Sequence, residues 1–151
     1  MDSKLALEKL ESLCARAERC TWELRQKLWN WKIPSTEANR ILESLKKRKF
    51  VDDERFVRAF VNDKIKFARW GERKITAALV AKRIPFELIK TALLECDEEL
   101  IKKNLLDLLQ AKSRSIADVA SYEGRTKLFR YGISRGYYPN LVSQVIKENF
   151  K

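Results

Sequence analysis

One phrase is spelled three times along this chain. ELRQKLWNWKIPSTEANRILESL at 23–45 aligns with KITAALVAKRIPFELIKTALL at 74–94 when Ile33-Pro34 is laid on Ile84-Pro85, an offset of 51. KLFRYGISRGYYPNLVSQVIKENF at 127–150 joins them when Tyr137 is laid on Ile84, an offset of 53. Apolar positions then coincide: Leu24 with Ile75 and Leu128, Ala38 with Ile89 and Val142, Leu42 with Leu93 and Ile146. Each copy reads as an amphipathic helix, a tight connection at Pro34, Pro85 or near Pro139, and a second short amphipathic helix.

A longer helical stretch precedes each copy. Leu5, Leu7, Leu10, Leu13, Cys14 and Ala17 keep close to the helical period, as do Phe56, Val57, Phe60, Val61, Ile65 and Ala68, and then Leu100, Ile101, Leu105, Leu108, Leu109 and Lys112. Three helices in each of three copies predict nine helices and an all-α fold, with boundaries at 1–49, 50–95 and 96–151. No segment sustains the alternation of a half-buried strand, and there is no Asn-Gly hairpin signal. A unit of about 50 residues buries little area alone. The expectation is three tandem, helix-turn-helix-like repeats stacked in an elongated, curved array.

Of the 151 residues, 45% are hydrophobic, enough to fold one compact domain or a short array. No apolar run approaches the roughly 20 residues that cross a bilayer. The opening MDSKLALEKLESL is amphipathic and carries acids, unlike a secretory leader, so a cytoplasmic location is expected. Cys14, Cys20 and Cys96 form an odd set without a CxxC, and the chain has no histidine. Zinc ligation and a disulfide framework therefore lack material, and the commonest general acid/base is missing. Neither a metal nor another cofactor is expected.

Charge is the strongest compositional signal. Lysine and arginine number 32 against 21 acids, a net +11. Residues 1–50 carry 12 basic and 7 acidic side chains, 51–100 ten of each, and 101–151 ten against four. Even the neutral middle is segregated, since residues 64–90 hold eight basic side chains with only Glu72 and Glu87. Such a balance favours polyanions or acidic protein surfaces. The cations on faces left free by the apolar stripes are Arg25 and Lys32 in the first copy, Lys66, Arg69, Arg73, Lys74, Lys82 and Arg83 in the second, and Arg125, Lys127, Arg130 and Arg135 in the third. They form the candidate partner- or DNA-binding stripe, which DNA phosphates would make steeply salt-dependent.

Two other features compete for a functional reading. Asp52, Asp53 and Glu54 stand together, but Asp52 precedes an apolar stripe where a carboxylate accepts orphan N–H groups and meets the positive helix end. The cluster therefore reads as a helix start, with Thr21 and Ser35 in equivalent starting positions and CDEE at 96–99 in a simpler role of the same kind. Among the aromatics, Trp22 and Trp29 share a helix face, so one or both should be core, whereas Trp31 lies off it and should be partly exposed. Trp70, Tyr137 and Tyr138 sit among basic residues at helix boundaries, where they pack between helices, stack on bases or anchor an interface.

The stretch FVDDERFVRAFVNDKIKFARWGERKITAALVAKRIPFELIKTAL resembles the central signature of the RecX family, regulators of the bacterial recombinase RecA. The matching positions are Asp52, Asp53, Arg55, Phe56, Phe60, Val61, Trp70, Gly71, Arg73, Lys74, Ile75 and Ile84. RCTWELRQKL at 19–28 resembles the family's earlier Ser-x-x-Glu-Leu helix, with Thr21 for Ser, and SRGYYPNLVSQVI at 134–146 its closing Arg-Gly-aromatic helix. Glu72 stands where a Pro is common, Arg83 replaces the usual Gly before Ile84, and Gly124 and Gly132 fall within the penultimate helix. The resemblance implies an array lying along the groove of a RecA filament on DNA. There it would block extension or promote disassembly and lower ATPase, strand exchange and repressor cleavage without catalysis of its own. Separately, the cationic stripe suits contact with single- or double-stranded DNA, and the lack of a leftover heptad seam points to a monomer.

Two rival readings follow from the residues alone. One is a helix-turn-helix-type nucleic-acid-binding module acting without a recombinase. The third helices begin STEANR, FELIKT and PNLVSQ and offer few side chains that read bases. The other is a metal-dependent nuclease, which wants carboxylates converging from separate elements. Only DDE and CDEE qualify, and both read as helix starts.

Overall fold

The computed structural model describes all 151 residues and contains nine α-helices and no strand. They are α1 (Ser3–Arg16), α2 (Thr21–Asn30), α3 (Ser35–Lys47), α4 (Asp53–Asp63), α5 (Glu72–Ala81), α6 (Phe86–Leu94), α7 (Glu98–Ser113), α8 (Tyr122–Ser134) and α9 (Pro139–Asn149). A π-helical turn, Lys64–Ala68, continues α4. None of these helices is long and apolar enough to cross a membrane. The chain packs as two compact units, one of residues 1–60 with 79–89 and the other of residues 61–78 with 90–151.

In the first unit, α1, α2 and α3 close on Ala6, Leu10, Leu24, Leu28, Ala38, Ile41, Leu42 and Leu45. Each buried leucine contributes roughly 1.5–3 kcal/mol. The α1 stripe is turned from its expected setting: Leu5 is 43% exposed and Ala17 is exposed, while Ala6 and Leu10 are fully buried. Alanine at position 6 brings little side-chain bulk to the seam where α1 meets α3, and Ser3 reaches across to the Glu37 carboxylate. Helix starts use local chemistry. Asp2 accepts from Leu5 N at 2.8 Å, and Asp52 accepts from Arg55 N at 3.1 Å ahead of α4. Thr21 and Ser35 prove to be first helical residues, with Cys20 and Pro34 as the caps before them. Asp53 does more than load the first turn, since it accepts from Thr21 N at 2.7 Å and so holds the start of α2.

The repeat offsets reappear in backbone geometry. Ile33 N bonds Leu28 O at 3.0 Å, Ile84 N bonds Leu79 O at 3.2 Å, and Tyr137 N bonds Gly132 O at 3.2 Å. This is the bond that closes a helix through a left-handed residue. That residue is Lys32 (φ 59°), Arg83 (φ 61°) and Gly136 (φ 94°) in the three copies. Left-handed backbone costs an L-residue roughly 1–2 kcal/mol, so the first two corners are strained and the glycine corner is not.

The second unit is wired through the unwound end of α4. A π-turn and the left-handed Arg69 (φ 55°) leave carbonyls without the usual helical donors. Side chains from distant elements satisfy them. Asn104, the buried polar residue of α7, donates to Ile65 O at 2.9 Å; Arg135 donates to Ala68 O at 2.8 Å; the Tyr137 hydroxyl donates to Arg69 O at 2.9 Å. The α5 start docks on the same corner, with Gly71 N bonding Arg135 O at 2.8 Å and Arg73 N bonding Gly136 O at 2.9 Å. Backbones approach so closely that a Cβ on Gly71 would lie 2.3 Å from the Gly136 carbonyl carbon. Within α8, Gly124 and Gly132 face the Asp118 backbone and the Val142 side chain. Gly71→Ala should therefore lower the unfolding free energy by about 3 kcal/mol in urea denaturation, and a variant as stable as the parent would contradict this close approach.

Candidate functional site

The twelve cations singled out from sequence divide into two groups. Lys32, Lys66, Arg69, Arg73, Arg83, Lys127 and Arg130 are exposed, and their side chains make no hydrogen bond, ion pair or ring contact within the chain. The other five are engaged. Arg25 donates to the Asn39 side chain at 3.0 Å, although it stays exposed. Lys82 pairs with Glu23 at 3.1 Å and lies over the Trp22 ring. Lys74 and Lys64 both lie over Trp70, at 4.7 and 4.8 Å from the ring centre. Arg125 donates to Phe150 O at 2.8 Å, and Arg135 to Ala68 O. Lysine and arginine near a helix C-terminus are natural donors to its last carbonyls, which is how Arg125 and Arg135 act on α9 and on the end of the α4 segment.

Electrostatics around Glu23 show what such engagement does. Burial alone would raise its carboxyl, but the Cys20 N–H, at 3.1 Å, and the Lys82 ammonium outweigh that and hold it below the usual glutamate value. Burial pushes the Cys20 thiol up to about 11 and the Tyr137 hydroxyl up to about 12, so both stay protonated at neutral pH. Cys14 and Cys96 are also raised by burial, and none of the three cysteines is bonded to another. Asp52 and Asp53 spend their carboxylates on backbone N–H groups, as does Asp97, which accepts from Glu99 N at 2.9 Å. No group of three or more Cys, Asp or Glu side chains is placed to hold a metal ion.

Aromatics were the least legible part of the surface. Of the pair expected to supply one or two core side chains, Trp22 is half-buried and Trp29 is 74% exposed; Trp31 is partly exposed, as expected, and packs against the core of the first unit. The helical angle that sets Trp22 and Trp29 on one face holds only to Asn30; Trp31 is the cap, and left-handed Lys32 swings the chain away. Tyr137 is buried and Trp70 half-buried, so both pack between elements, while Tyr138 is 44% exposed. Trp29 and Lys32 line an open cavity of about 540 Å³ together with Asn30, Ile33, Pro34 and Ser35. Lys49 (φ 61°) was not singled out from sequence, yet it is a further exposed cation in the left-handed region. Its signal was present in the KKRK run that ends α3.

These features define an all-helical repeat protein with a surface of free cations. Residues 52–93 match the family model for the second three-helix domain of RecX. A regulatory protein RecX of Clostridium beijerinckii is 34% identical over 128 residues, which cover 83% of this chain and 59% of that relative. One of Clostridium botulinum (strain Alaska E43) is 33% identical over 129 residues with the same coverages. The chain thus spans about three fifths of the length of these relatives. The crystal structure of RecX from Lactobacillus salivarius superposes with a TM-score of 0.85 at 18% identity, covering 97% of this chain and 95% of that one. A second RecX crystal structure gives 0.86 at 17% identity, covering 96% and 71%. The chain belongs to the RecX family.

The depressed Glu23 carboxyl stabilises the fold above the ordinary glutamate value of 4.5, and that contribution is lost as pH falls through the lower folded value. Glu23→Gln should accordingly cost about 1–2 kcal/mol at pH 7. Unfolding curves of the two proteins should converge only as pH falls through the lowered folded value, where the parent carboxyl becomes neutral too.

Proposed function

We propose that this chain is a negative modulator of the RecA recombinase. It binds in the groove of the RecA–DNA filament, blocks extension or promotes disassembly, and so lowers ATPase, strand exchange and coprotease activity. The observation that carries this reading is kinship to regulatory proteins named RecX over 83% of the chain. Seven exposed cations without internal partners support it, because a nucleoprotein filament offers acidic side chains and phosphates along its length. Repeats suit such a lattice: three units, at 1–49, 50–95 and 96–151, each present part of the contact, and a monomer is sufficient. The chain acts in the cytoplasm by binding and carries out no catalysis.

The test is ATP hydrolysis by cognate RecA on single-stranded DNA. Hydrolysis should fall at substoichiometric amounts of the chain. Lys66→Glu with Arg73→Glu, Lys127→Glu and Arg130→Glu should raise the amount needed by at least about tenfold, because these side chains have no internal partner to lose. Hydrolysis unaffected across the titration, alongside tight binding to duplex DNA, would favour a nucleic-acid-binding module that works without a recombinase.

A further inference from the structure

The three helix corners are alike in backbone and unlike in what covers them. At the α8–α9 corner the carbonyls of Arg135 and Gly136 accept hydrogen bonds from Gly71, the residue just before α5, and from Arg73 in its first turn. A helix N-terminus of this same chain is therefore seated on that corner, and glycine is required at 136 because a Cβ there would lie 2.3 Å from the Lys74 Cβ. By the offsets of 51 and 53, Arg135 and Gly136 correspond to Lys82 and Arg83 and to Trp31 and Lys32. The carbonyls of Trp31, Lys32, Lys82 and Arg83 accept no hydrogen bond from the chain.

Those two uncovered corners belong to the unit of residues 1–60 and 79–89, and both present apolar side chains to solvent. Trp29 is 74% exposed, and its counterpart Val80 is 52% exposed. Phe86, which corresponds to Ser35, is 59% exposed. Beside them stand the left-handed, unpartnered cations Lys32 and Arg83, at positions where glycine would be free of strain. Exposed apolar groups around a cation are the makings of a protein interface: Trp and Arg are among the side chains on which such contacts most depend, and Phe is enriched there. Nucleic acid fits less well. Valine has no ring to stack on a base, and the occupied example of the same corner holds a protein helix.

We infer that the α2–α3 and α5–α6 corners are two copies of one docking element for the acidic N-terminal turn of a helix in a partner protein. Three complementarities favour that occupant. Its N–H groups meet the unused corner carbonyls, its positive dipole end meets the negative ends of α2 and α5, and its first-turn carboxylates meet Lys32 or Arg83. The Cβ atoms of Lys32 and Arg83 hold the guest further out than α5 sits at the α8–α9 corner, so side chains carry much of the contact. Lys82 binds Glu23 and Trp22 in the first turn of α2, which places the second corner near one end of that helix and the first at the other. Ten residues of helix separate them by about 15 Å.

This inference rests on the RecA filament as partner and assigns the filament's protein surface, rather than its DNA, to the two corners. Binding of the full chain would be measured to RecA on a fluorescent single strand with a non-hydrolysable ATP analogue, and to the same strand alone. Lys32→Gly with Arg83→Gly should weaken filament binding about tenfold and leave strand binding unchanged, while the thermal midpoint stays level or rises because backbone strain is relieved. Trp29→Ser with Phe86→Ser should weaken filament binding at least as much. Filament affinity within twofold of the parent in both variants would overturn the docking element while leaving the proposed function standing. A loss that follows affinity for the bare strand would overturn it in favour of nucleic acid. A parent chain that ignores the filament would remove the proposed function and this inference together.

Discussion

A single residue in left-handed backbone turns the second helix of each repeat into the third, and the packing follows from that turn. It closes the helix with an N–H from Ile33, Ile84 or Tyr137 to a carbonyl five residues back, and buries that apolar side chain. The next helix then sets its own stripe inward: Ala38, Ile89 and Val142 are buried in all three copies, as are Leu24, Ile75 and Leu128 one helix earlier. Strain at Lys32 and Arg83 is tolerated because the buried stripes on either side fix the turn.

Polar chemistry in the second unit is organised around carbonyls rather than charges. Where α4 unwinds, Ile65, Ala68 and Arg69 present oxygens that helical N–H groups no longer reach, and Asn104, Arg135 and the Tyr137 hydroxyl supply the donors. An unmet carbonyl in that setting is costly, so these side chains are committed to the fold. The same logic removes Arg125 from the surface stripe, since it serves the carbonyl of Phe150. Cations with no such duty remain available to a partner.

Much of the architecture was legible in the primary structure. Helix number, the repeat offsets and the cap role of Asp52 follow from periodicity and from local hydrogen bonding, which act over a few residues. The candidate surface was legible only in part. Lys66, Arg73, Lys127 and Arg130 are free as expected, whereas Lys74 lies over Trp70 and Lys82 is held by Glu23 and Trp22. Leu5 was placed inside, and Trp22 and Trp29 on one shared face, by an angular pattern that cannot say which neighbouring helix arrives, or where a helix stops.

Sequence by itself determined the repeated helical units, the excess of positive charge and kinship to RecX, because each is written in residue types at fixed spacing. Only the tertiary structure decided which cations are spent. Arg135 meets its carbonyl 67 residues away and Tyr137 meets one 68 residues away, and no local pattern encodes a contact at such separation. It also decided that the glycine corner is filled by the chain's own α5 while the corners at Lys32 and Arg83 stay open, since a missing Cβ matters only when another backbone comes within its reach.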